Sequence, residues 1–141
     1  MFAVMVASGV SPIQPTVDSL VSWGANMPPR TLSGEWWRLL TCTVIHIGFV
    51  HIALNMWVLY ALGRFAERMF AAPTFTVIYV LSGVGGSLAS IAWNQAVVSA
   101  GASGAIFGLA GGILGFASRH KAAVDAKMVF SGVAKSMVAF V

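Results

Sequence analysis

From position 69 to position 118 the chain runs for 50 residues without an aspartate, glutamate, lysine or arginine. A hydrocarbon core of about 30 Å takes roughly 20 helical residues, so this run predicts two membrane-crossing helices and a short hairpin. The polar pair Asn94-Gln95, next to Trp93, marks the expected break, since tryptophan favours the membrane–water interface. A second uncharged run covers 39–63, 25 positions between Arg38 and Arg64. As one straight helix it would reach about 37 Å, more than a bilayer core needs, so the helix proper is expected to begin near Ile47 or Gly48.

Composition agrees with the pattern. Hydrophobic residues make up 58% and charged residues 9%, with a mean hydropathy of +0.86, far from the soluble balance of about 25% charged. The expectation is one integral membrane domain over 1–141. The net charge of +4 does not point to nucleic acid, because the eight basic residues are scattered and form no stripe. With Cys42 as the only cysteine, no internal disulfide and no thiolate metal site can form. The apolar start lacks the basic residues of a signal peptide.

Met1–Val10 and Met128–Val141 are apolar but too short to cross. The layout is therefore an all-α polytopic bundle: a partial first span, three full spans and a partial fifth, cut at both ends. Arg64 and Arg68 are assigned to the loop after the second span, and Arg119, Lys121 and Lys127 to the loop after the fourth. The opposite side carries only Arg30 and Arg38. This asymmetry puts the first set in the cytoplasm and opens the fourth span at Ser103 from the outer side.

Small residues recur every fourth position: Gly104, Gly108 and Gly112, then Gly111 and Gly115, with Ser82, Gly86 and Ser90 in the third span. Such ridges let helices approach closely in lipid, where hydrophobicity does not draw them together.

Ionisable groups inside a span are functional candidates. His51 and Asn55, four apart, share one helix face. That position is equally compatible with a plain hydrogen bond across the bundle. His46, five before His51, lies about 140° round an ideal helix and is expected off that face, holding the outer loop by hydrogen bonds. Ser103 stands at a predicted helix N-terminus, where unpaired amides could meet an oxyanion. The G-x-S-x-G elbow of soluble hydrolases is not matched, because position 105 is alanine and no strand precedes the serine.

Four motifs occur in order: GEWWR at 34–38, HIALN at 51–55, the Glu67-Arg68 pair, and GASGAIFG at 101–108. Together they resemble the rhomboid family of intramembrane serine proteases. The resemblance implies a six-helix core, no metal, no cofactor, and single-pass transmembrane proteins as substrates in the lipid bilayer. It implies Ser103 as nucleophile with Gly101 and Gly104 completing its motif, and His51 and Asn55 as donors to the oxyanion. Trp37 and Arg38 match a loop partly embedded in the outer leaflet, and Glu67 an acid that ties loop and helix ends together.

The family's base, a histidine on the sixth helix, falls outside this chain. His120 lies about 25 Å along a continuous helix from Ser103, out of reach of its hydroxyl. A Ser103–His51 dyad is sterically conceivable. The expectation is that the 141 residues alone are silent, and that the ridge Gly104–Gly108–Gly112 receives the sixth helix in the full-length protein. The expected setting is a multi-pass protein, bacterial cell membrane, site facing outward, with oligomeric state left open. The competing reading is an inactive rhomboid-like protein that binds membrane clients. A channel or transporter fragment, with His51 and Asn55 lining a pore, would leave GEWWR and Ser103 unexplained.

Overall fold

The computed structural model describes residues 1–120, 129 and 131–135. The described residues are helical, in the order α1 (Phe2–Ala7), α2 (Val17–Ser22), α3 (Pro28–Leu32), α4 (Arg38–Thr41), a 3₁₀ turn at Cys42–Val44, α5 (Gly48–Met69), α6 (Ala72–Trp93) and α7 (Ser103–Arg119). The expected breaks fall where the sequence puts them: α5 opens at Gly48, α6 stops at Trp93 and α7 opens at Ser103.

Local chemistry fixes these boundaries. At Gly48 the backbone turns to φ +85°, and a Cβ there would sit 2.6 Å from the carbonyl oxygen of Ile13, so only glycine fits. The following amide, Phe49 N–H, donates to Pro12 O at 2.7 Å, which satisfies one of the orphan donors of the first turn. Pro73 opens α6, where its missing N–H costs nothing. Past Trp93, the Asn94 side chain accepts from Ala96 N–H and starts the hairpin.

Helices α5 and α6 are each 22 residues long and apolar enough to cross a membrane. Helix α7 has 17 residues, about 25 Å, which is shorter than a full crossing. The charge pattern assigns Arg64 and Arg68 to a loop, but the structure places both within α5. They ride on the last turns of α5, because Ala61–Met69 continues as helix past the apolar run. Both stay exposed, so their charges remain accessible to headgroups or water.

Helix α7 sits between its two long neighbours. Its Ile106, Leu109 and Ile113 pack on Val58, Leu62 and Ala66 of α5, each residue 2% exposed or less. Its glycines meet α6 instead. A Cβ built on Gly104 would lie 3.1 Å from the Gly86 Cα, and Gly108 faces Ser82 with no room for a methyl. Gly112 meets Ile78 and Phe70. This corrects the expectation that Gly104, Gly108 and Gly112 await a sixth helix: the Ser82–Gly86 ridge already fills that face. Of the α7 glycines, Gly111 and Gly115 are the two whose Cβ would meet no atom within 4 Å among the described residues.

The outer region between α1 and α5 is folded, not slack. Met5 of α1, Leu20, Ala25 and Ile45 form a second buried cluster. Arg38 is buried at 5% exposure and donates to Val21 O at 2.7 Å and Ala25 O at 2.9 Å, with Glu35 as its ion-pair partner. Three of its donor directions are thus used, two on carbonyls in and just after the last turn of α2 and one on Glu35. Arg38→Ala would leave the Ala25 carbonyl unpaired and Val21 O with the Gly24 N–H alone, and is expected to cost on the order of 3 kcal/mol. Thermal unfolding in detergent, compared with the unaltered protein, measures that loss.

Candidate active site at the opening of α7

Ser103 is the first residue of α7, and no side chain caps that helix, so its leading amides have no internal partner. The approach to it is shaped by Gly101, whose φ of +126° is open to glycine and strained for any other L-residue. The Gly101 N–H donates to Cys42 O at 2.9 Å, which anchors the turn to the 3₁₀ segment.

His51 stands directly against this turn. A Cβ on Gly101 would be 2.6 Å from His51 Cε1 and 3.0 Å from Nε2. Its other nitrogen, Nδ1, accepts the Ile47 N–H at 3.2 Å. A neutral imidazole that accepts at Nδ1 carries its proton on Nε2. The edge that meets the glycine turn is therefore a donor. This tautomer suits an oxyanion partner and disfavours a Ser103–His51 dyad, since a protonated nitrogen cannot take the serine proton.

One turn on, Asn55 is fully buried and donates through Nδ2 to His51 O at 2.8 Å. Among the described residues its Oδ1 has no hydrogen-bond partner. A buried unpaired amide oxygen costs a few kcal/mol unless water or a ligand meets it.

His46 departs from expectation. It lies ahead of α5, so the 140° estimate for one continuous helix does not apply, and its ring comes within 5.5 Å of the His51 ring at 58°. It is 4% exposed, and among the described residues neither ring nitrogen finds a partner. Burial, followed by the nearby His51, pushes its pKa below the ordinary imidazole value, which keeps it neutral.

Ser103 opens into a cavity of about 220 Å³ lined by Cys42, Gly83, Ser87, Ser90, Ser99 and Gly104, among others. Its walls carry several hydroxyls, which are compatible with water at membrane depth. The motif reading of the sequence missed Cys42, Ser87 and Ser99. They come from three separate elements, and although Ser99 is four before Ser103 it precedes α7, so helical periodicity does not link them.

The remaining candidates fall at the rims. Trp37 is 47% exposed beside Trp36 at 65%, which fits side chains that sit among lipid headgroups. Glu67 is exposed on α5 and makes no ion pair among the described residues. His120 ends α7 at the far end from Ser103 and stacks on Phe116 at 4.2 Å, which places it away from the candidate nucleophile. Lys121 and Lys127 lie outside the described residues.

Fold and site together define a helical membrane protein with a serine at the N-terminus of a short, glycine-faced helix. A family model described as the Rhomboid domain matches residues 33–141. Rhomboid protease GluP of Bacillus subtilis (strain 168) is 45% identical over 97 residues, 69% of this chain and 19% of that protein. Rhomboid protease AarA of Providencia stuartii is 31% identical over 115 residues, 71% of this chain and 41% of that protein. RHOMBOID-like protein 4 of Arabidopsis thaliana is 45% identical over 80 residues, 57% of this chain and 20% of that protein. No solved structure matches. The chain belongs to the rhomboid family of integral membrane proteins. It spans between about a fifth and two-fifths of the length of these relatives.

Proposed function

We propose that the full-length protein is an intramembrane serine endopeptidase that cleaves single-pass membrane proteins within or near their transmembrane helices. The reading gives Ser103 the role of nucleophile. Its own amide, His51 Nε2–H and Asn55 hold the oxyanion of the tetrahedral intermediate. The observation that carries it is the His51 ring set against the Gly101 turn with its donor nitrogen toward it, two residues ahead of the serine.

The length of α7 adds support. If Arg119 lies level with one membrane face, a helix of about 25 Å starts a few ångströms inside a 30 Å core. A serine opening such a helix is submerged, yet reachable through a polar cavity from one side. The reading takes Arg64, Arg68 and Arg119 as cytoplasmic by the positive-inside rule, with the cavity mouth outward, and takes a bacterial cell membrane as the setting.

For the proton, the reading relies on a base outside the 141 residues. His51 is committed as a donor, and His120 is at the wrong end of α7. The open face carrying Gly111 and Gly115 is available for the helix that brings the base. A serine hydroxyl without a base is a weak nucleophile. The 141-residue segment alone is therefore expected to turn over no transmembrane substrate.

A fluorophosphonate probe applied to both forms tests this. Labelling of the full-length protein at Ser103, with none on the isolated segment, is the expected result. No labelling of the full-length protein would favour the rival reading, a rhomboid-like protein that binds membrane clients without cutting them.

A further inference from the structure

Ser99, two residues before the Gly101 turn, belongs to a loop with no regular structure, yet its backbone is held as firmly as a strand. The residue across from it is Asn26, which lies 73 positions earlier in the chain. Asn26 N–H donates to Ser99 O at 2.9 Å and Ser99 N–H donates back to Asn26 O at 3.0 Å, an isolated antiparallel bridge. The Asn26 side chain, 0% exposed, is equally committed. Its Nδ2 donates to Ser99 Oγ at 3.2 Å and to Ser87 O on α6 at 3.2 Å, while Oδ1 accepts from Thr31 Oγ1 at 2.8 Å.

Only a primary amide on a short stem offers two donors and an acceptor in this space. The contacts also fix which end of the amide is nitrogen, because the Ser87 carbonyl can only accept. One buried residue thus ties the outer loop, α6 and the segment entering α7. The same outer segment is held on its other flank by Arg38, which donates to the carbonyl of Ala25, the neighbour of Asn26. Ser87 and Ser99 both line the Ser103 cavity.

We infer that Asn26 is a positioning residue for catalysis: it sets the path of residues 99–101, and through them the placement of the Gly101 turn and Ser103. It touches neither substrate nor the reacting hydroxyl. The inference rests on the protease reading above. Its physical basis is that acyl transfer needs its groups within a fraction of an ångström, so slack of about 1 Å at the turn costs on the order of 100-fold in rate.

The test uses the full-length protein, with a quenched-fluorescence transmembrane peptide for kcat and KM and the fluorophosphonate for the acylation rate of Ser103. Asn26→Ala is expected to lower kcat and the acylation rate by at least about 30-fold, with KM changed less than about threefold. Ser99→Ala, which removes one accepted bond and keeps the backbone bridge, is expected to lower kcat by about fivefold. The double variant should be no slower than Asn26→Ala, because both act through one contact. A residue that merely supports the fold would lower the amount of active protein and leave the acylation rate per folded molecule unchanged.

Wild-type kcat in Asn26→Ala, or losses that multiply in the double variant, would overturn the inference. If Asn26→Ala does not fold, Ser99→Ala decides alone, a fivefold loss in kcat supporting it and a wild-type kcat sinking it. Failure of the unaltered protein to be acylated or to cleave is a different result, which removes the protease reading and this inference with it.

Discussion

Ser103→Ala in the full-length protein is expected to reduce kcat/KM for a transmembrane substrate by at least about 10⁴-fold, with no change in thermal midpoint beyond about 1 °C. The size follows from the role proposed for it. Without the hydroxyl no acyl-enzyme forms, and whatever rate remains comes from substrate binding and the oxyanion donors acting on water. The stability side follows from position: Ser103 is partly exposed at the start of α7, caps nothing and lines a cavity, so alanine removes one oxygen atom and no packing. His51→Ala should be milder in rate, about 10²–10³-fold, the cost of one oxyanion donor. The two variants together distinguish the roles. Were His51 the base, its loss would match that of Ser103, since members of a nucleophile–base pair fail together. A Ser103→Ala protein that still cleaves within tenfold of the unaltered rate would end the case for an acyl-serine mechanism.

The parts of this molecule that sequence made readable are those governed by local rules. Uncharged runs gave α5, α6 and α7 their places, and the four-residue spacing of Ser82, Gly86, Gly104 and Gly108 announced a close helix pair. What spacing does not carry is the identity of the partner. A glycine ridge states that something approaches, and Gly104 proved to face α6 because the chain returns directly through the hairpin 94–102. The relation of His46 to His51 was misjudged for a related reason: rotation about a helix says nothing once the backbone leaves the helix at Ile47, just before the φ +85° glycine. The hub at Asn26 was out of reach altogether. Its bonds cross 61 and 73 positions to loop and helix residues, and nothing in the local pattern of the GAN segment marks it. The candidate site shows the same division. His51, Asn55, Gly101 and Ser103 were visible as motifs, whereas the cavity walls Cys42, Ser87 and Ser99 exist only once the helices are packed.

Gly104→Val is expected to cost the full-length protein at least about 3 kcal/mol and to cut kcat/KM by 100-fold or more, and Gly86→Val is expected to do the same. At this crossing a Cβ on Gly104 would stand 3.1 Å from Gly86 Cα, and one on Gly86 would stand 2.8 Å from Gly104 Cα. Both obstacles are backbone, so no rotamer change relieves them, and the branched side chain must lever the helices apart. The separation falls at the second residue of α7, so the strain moves Ser103 relative to His51, where about 1 Å of misplacement costs on the order of 100-fold. The choice of Gly86 as the paired site is what gives the experiment its force. If Gly104 mattered by receiving another helix, valine on α6 would leave activity intact. If the two glycines meet each other, the single variants match and the double variant is less than additive, because the first valine has already opened the gap. Unfolding midpoints and kcat/KM for the three variants decide between these, and equal stability of Gly86→Val and the unaltered protein would refute the crossing described for α6 and α7.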